Sequence, residues 1–138
     1  ASIRDAVYNL QQNCTVHSVG YDEWNAWETT AELTAAGLNM QKVLPRYSHQ
    51  SNPTKRIEMV ILSQEIEMDD NPVLLWNFRN IALDFDSQDN IKPNKQKSAE
   101  KIDGVAAMVD AIYVWLQTLA TPVFSSYLFD EDAELITY

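Results

Sequence analysis

From Ile102 onward the apolar residues return at helical spacing. Ile102, Val105, Ala106, Val109, Ile112, Leu116 and Leu119 fall on one face, and Pro122 bounds the run. The spacing predicts one long helix with a single buried stripe, which other elements have to cover. Ser98 stands where it could cap that helix. The residues just before it are chemically different. Lys92, Lys95, Lys97 and Lys101 crowd into ten positions of a chain whose net charge is -10. A lone carboxylate, Asp103, then opens the apolar pattern. A basic segment running into an acid at a helix N-terminal turn suits a phosphate-rich partner, a bound cation, or both. The plainer readings stay open beside these: an aspartate in a first turn complements the helix dipole, and a lysine-rich run with Asn and Gln is commonly a solvated loop.

The remaining segments predict what covers the helix. Ser2 with Asp5 forms a capping-box pattern ahead of a helix over 3–12. Residues 15–21, β-branched and aromatic, read as a strand that ends in Asp22-Glu23-Trp24-Asn25. Asn25 and Glu28 suggest a second capping box, for a helix over about 26–36 that Gly37 terminates. A short strand over 40–44 stops at Pro45, and residues 47–52 read as a polar loop. Pro53 then suits the first position of the next helix, whose apolar stripe is Ile57, Val60 and Ile61. Asn71-Pro72 repeats the start signal for a helix to about Arg79, residues 81–85 read as a strand, and 86–90 have turn chemistry. Alternating helices and strands of this kind indicate an α/β layered domain with a small, mostly parallel sheet flanked by helices. We expect residues 1–122 to form that domain and 123–138 an acidic, aromatic tail.

Composition narrows the chemistry. A length of 138 residues suits one domain. The single cysteine, Cys14, excludes an internal disulfide and reads as a small buried hydrophobe. No apolar run approaches the roughly 20 residues of a membrane helix, and the expectation is a soluble protein of a reducing compartment. The acidic balance argues against a protein that coats nucleic acid, but not against a nuclease whose positive charge is local. His17 and His49 have no ligand partner at a recognisable spacing. Trp24, Trp27, Trp76 and Trp115 could stack on bases, although aromatics at helical spacing more often belong to a core. No Walker A, GxSxG or HExxH pattern is present. That leaves Asp22, just past a strand, and Asp103, at a helix start, as a candidate pair of ligands for a hard cation such as Mg²⁺ or Mn²⁺.

Three blocks carry a family resemblance: Asn71-Pro72-Val73-Leu74-Leu75-Trp76-Asn77-Phe78-Arg79-Asn80, the Asn90-Ile91-Lys92-Pro93-Asn94-Lys95-Gln96-Lys97-Ser98 segment, and Lys101-Ile102-Asp103-Gly104-Val105. With the upstream Gly20-Tyr21-Asp22-Glu23-Trp24, they resemble the C-terminal nuclease region of the large terminase subunit of tailed bacteriophages. The lysine block and the Lys-Ile-Asp-Gly block are its specific part. The resemblance implies a partial RNase H-like fold and a two-metal endodeoxyribonuclease, using Mg²⁺ or Mn²⁺, that cuts concatemeric double-stranded DNA during genome packaging in the host cell cytoplasm. It places Asp22 and Asp103 as catalytic metal ligands and Lys95, Lys97 and Lys101 beside the DNA backbone. Asn80 matches an asparagine of the family pattern and is assigned no role. In that family a first metal acid and an ATPase lie upstream, and this sequence starts after both. The expectation is therefore a portion with weak metal binding and little cleavage of its own, its open strand edges available for self-association. The rival reading is a non-catalytic domain whose tail docks a portal protein or a small terminase subunit.

Overall fold

A computed structural model describes residues 2–23 and 26–120. The expected 123–138 tail, Pro122, Trp24 and the Asn25 cap lie outside these residues. Within them the order is α1 (Ile3–Asn13), β1 (Val19–Tyr21), α2 (Trp27–Ala35), β2 (Met40–Lys42), α3 (Tyr47–Leu62), α4 (Pro72–Asn80), β3 (Leu83–Phe85), β4 (Ile91–Pro93) and α5 (Asp103–Ala120). The expected α/β architecture is present, but in place of one mostly parallel sheet the described strands form two separate pairs. β1 and β2 pair in parallel, Gly20 opposite Gln41. β3 and β4 form a separate antiparallel pair, Asp84 opposite Lys92, so the first part of the lysine segment is a strand.

Local signals set several boundaries. The Ser2 hydroxyl and Asp5 carboxylate exchange hydrogen bonds with each other's backbone, closing the expected capping box of α1. Asn71 Oδ1 accepts from the Val73 and Leu74 amides with Pro72 at the first turn of α4. Gly37, at φ +90°, takes the left-handed conformation that ends α2. Asp86 closes the β3–β4 hairpin, its carboxylate accepting from the Gln88 and Asn90 amides and the Asn90 side chain.

Other expectations need correction. Residues 47–52 are not a loop, because α3 begins at Tyr47 and carries Pro53 in its interior. Tertiary contacts hold those first turns. His49 stacks on Tyr113 with centroids 4.6 Å apart and its Nδ1 accepts from the Leu44 amide, while the Ser51 hydroxyl accepts from Ile91 of β4. Such anchoring outweighs the cost of a proline that cannot donate. Ser98 does not cap α5. Its hydroxyl accepts from the Ala82 amide and donates to the Asn94 carbonyl, and the helix starts five residues later. Cys14 is exposed rather than buried, because it follows the last turn of α1 and its thiol donates to the Leu10 carbonyl. Trp27, Trp76 and Trp115 are exposed too; Arg56 lies over the Trp115 ring.

The core forms around α5, which packs on α3, α4 and β1. Val105, Val109 and Val114 supply its buried face, joined by Ile102 just before the helix and by Leu33, Leu38, Val43, Ile57 and Ile91. Leu119, expected on the same stripe, is exposed. Among the described residues, no helix is long and apolar enough to cross a membrane.

Candidate functional site

Two glycines set how closely elements approach α5. A Cβ on Gly20 would stand 2.7 Å from the Asp110 carbonyl oxygen and 3.0 Å from a Val114 methyl, so β1 lies backbone against backbone on the helix. Asp22 follows two residues later, beside the same turn of α5. At the start of α5, a Cβ on Gly104 would meet Asn77 Oδ1 at 3.1 Å and Leu74 at 3.3 Å. The lack of side-chain bulk at Gly104 therefore admits α4.

These approaches bring residues far apart in sequence into one cleft of about 500 Å³. Its walls include Asp22, Asp84, Asp103 and Asp110, together with Lys92 and Lys95. Asp103, Ala107 and Asp110 recur at helical spacing on α5, and the small Ala106 and Ala107 side chains keep the cleft open between the two acids. Burial pushes the Asp110 carboxyl up to about 6, the Asp22 charge adds to the rise, and Lys95 opposes it. Asp22 and Asp110 are thus close enough to repel when both are ionised.

The family model described as "Terminase large subunit, endonuclease domain" matches residues 1–118. The chain belongs to that family. It is 29% identical over 93 residues to Protein YmfN of Escherichia coli (strain K12), an overlap of 66% of this chain and 20% of that protein. It also superimposes on the crystal structure of the HK97 bacteriophage large terminase with a TM-score of 0.70 at 20% identity. That match covers 80% of this chain and 23% of the phage chain. The chain therefore spans about a fifth to a quarter of the lengths of these two proteins.

In this terminase nuclease domain the lysines do not share one environment. Lys95 Nζ lies 3.4 Å from Asp103 Oδ1, inside the cleft. Lys97 Nζ is 2.6 Å from Asp84 Oδ1. That hydrogen bond holds the Asp84 carboxyl below its usual range, helped by Asn94, and raises Lys97. Asn94 organises the turn: its Oδ1 accepts from the Gln96 and Lys97 amides, and its Nδ2 donates to Asp84 Oδ2. Lys92 Nζ donates to the Pro45 carbonyl above the Tyr47 ring. Lys101 is exposed and does not line the cleft.

Sequence reasoning missed Asp110. Its signal was present, since an acid seven residues after Asp103 in an apolar helix shares that residue's face. Asp84 reaches the cleft through its position opposite Lys92, in a hairpin that the sequence reading did not foresee. Carboxylate oxygens suit a hard divalent cation. Among the described residues, however, no group of three His, Cys, Asp or Glu side chains stands close enough to hold one. The donor chemistry fits a metal, and the set within these residues is partial.

Proposed function

We propose that this chain forms part of a metal-dependent DNA endonuclease that cuts concatemeric DNA during phage genome packaging, with Asp22 and Asp103 as metal ligands. The observation that carries this reading is their shared cleft: eighty-one residues apart in sequence, the two carboxylates line the same depression. Bound Mg²⁺ or Mn²⁺ would supply water activation and charge neutralisation at the scissile phosphate. The chain's own residues have separable tasks. Asp22, just past β1, and Asp103, at the start of α5, would hold the cation. Lys95, now 3.4 Å from Asp103, would be available to a DNA phosphate if that carboxylate were engaged by a cation. Lys97 and Lys101, which do not line the cleft, would add further positive charge for DNA, Lys97 more weakly because Asp84 already neutralises it. The shared cleft favours this role over docking alone.

Metal binding by this chain is expected to be weak, because no three suitable ligands cluster among the described residues. The test is Mn²⁺-dependent nicking of supercoiled plasmid by this chain and by the longer terminase protein that contains the domain. We expect slow or no nicking by the chain and efficient nicking by the longer protein, lost in Asp22→Asn and Asp103→Asn. Nicking by the longer protein that survives both substitutions would refute the assignment.

A further inference from the structure

We propose that Asn77, buried in α4, is a positioning residue that sets Asp103 in the cleft by holding the first turn of α5. The inference rests on the reading of Asp103 as a metal ligand. The first amides of a helix have no partner within it and must find one elsewhere. In α5 the Gly104 amide, directly after Asp103, donates to Asn77 Oδ1 at 2.7 Å. The Asn77 Nδ2 donates at 2.9 Å to the Val73 carbonyl one turn back in α4, which fixes the orientation of the amide plane. Asn77 is 4% exposed. An apolar side chain would fill that place without the cost of desolvating an amide, so the amide is retained for what it bonds.

The contact fixes both the height and the rotation of the α5 start. Ile102 is buried on one side of this turn, and its carbonyl accepts from the Ala106 amide to begin the helix. Gly104 is pinned by Asn77 on the other side. Asp103 lies between them, its carboxylate largely exposed and met by Lys95 at 3.4 Å. With its side chain this open, the placement of Asp103 depends on the backbone that flanks it. Outer partners of this kind orient metal ligands without touching the metal.

The test follows amide signals of the 138-residue chain by NMR while Mn²⁺ is added. In the wild type the Gly104 amide is expected to resist hydrogen exchange and to broaden with Mn²⁺. Asn77→Leu, similar in size but unable to accept, should lose the protection and bind Mn²⁺ about tenfold more weakly. Should Asn77→Leu fail to fold, Gly104→Ala strains the same bond from the other side and should weaken binding similarly. Leu74→Ala loosens the same α4–α5 contact but leaves the hydrogen bond, so it should lower Tm and keep affinity within about twofold. Equal affinity in Asn77→Leu and the wild type, or an equal loss in Leu74→Ala, overturns the positioning role while Asp103 remains a ligand. No broadening in the wild type, or undiminished broadening in Asp103→Asn, overturns the metal reading and this inference with it.

Discussion

Gly20 and Asp110 meet through their backbones, with only 2.7 Å between the Asp110 carbonyl oxygen and the place a Gly20 Cβ would occupy. The contact joins the strand that leads to Asp22 to the helix that carries both Asp103 and Asp110. Gly20→Ala has to push β1 from α5, because backbone on both sides cannot yield as a flexible side chain would. Overpacking of this kind costs about 1–3 kcal/mol. Urea unfolding should report that loss, and Mn²⁺ affinity should fall as Asp22 moves away. A variant as stable as the wild type would show that the two elements are free to separate.

Asp110 is expected to weaken the fold at neutral pH. Its carboxyl, raised to about 6 in the folded chain, ionises near 4 when unfolded. The unfolded state therefore gives up its proton first, and stability falls as pH rises from about 4 to about 6. The penalty is complete above that window and absent below it. The gap between the two values corresponds to about 3 kcal/mol if fully expressed, and solvent screening of a partly exposed group reduces it to about 1 kcal/mol. Asp110→Asn should thus raise Tm near pH 7 and match the wild type near pH 4. A gain that is the same at both pH values would point to a cause other than ionisation.

The Asp84–Lys97 pair gives the opposite sign. Lys97 lowers the Asp84 pKa, so its contribution is fully present above the unfolded value near 4 and is lost as pH falls through the lower folded value. Lys97→Met should lower Tm at neutral pH, and the difference from the wild type should close in acid. Thermal melts across the acid range check this, and a difference that persists at low pH would contradict it.

Pairing is also expected to separate the contributions of the lysines to the proposed DNA binding. Each phosphate neutralised by a lysine adds about 0.9 to the slope of log affinity against log salt. With Mn²⁺ on Asp103, Lys95→Met should reduce that slope by about one contact, and Lys97→Met by less, because Asp84 already compensates its charge. Salt titrations of duplex DNA binding by the longer terminase protein distinguish the two. Equal slopes for the two variants would show that the ion pair opens freely.

What could be read from the sequence was mostly local. Ser2 with Asp5, Asn71-Pro72, Gly37 and the Asp86 turn are short-range devices, and each appears in the structure where its residues indicated. The misses share a physical cause. Tyr47–Asn52 looked like a loop because the contacts that make it helical, His49 with Tyr113 and Ser51 with Ile91, reach across the fold. Ser98 looked like a cap, but the Ala82 amide, sixteen residues earlier, claims its hydroxyl. Asp22 and Asp103 were legible as candidates because each ends or begins an element. Asp110 shares the Asp103 face by its spacing, but that spacing gains meaning only once β1 is known to lie on that turn. Asn77 had no sequence signal, since its role depends on the amide of another helix.

The central claim is that Asp22 and Asp103 hold one divalent cation site from two elements. Anomalous diffraction from crystals of the chain soaked in Mn²⁺ tests it most directly. The expected result is a peak within coordination distance of both carboxylates, about 2.0–2.3 Å from their oxygens, with Lys95 withdrawn from Asp103. A peak bound elsewhere, or an empty cleft with Lys95 still on Asp103 at saturating Mn²⁺, would contradict it.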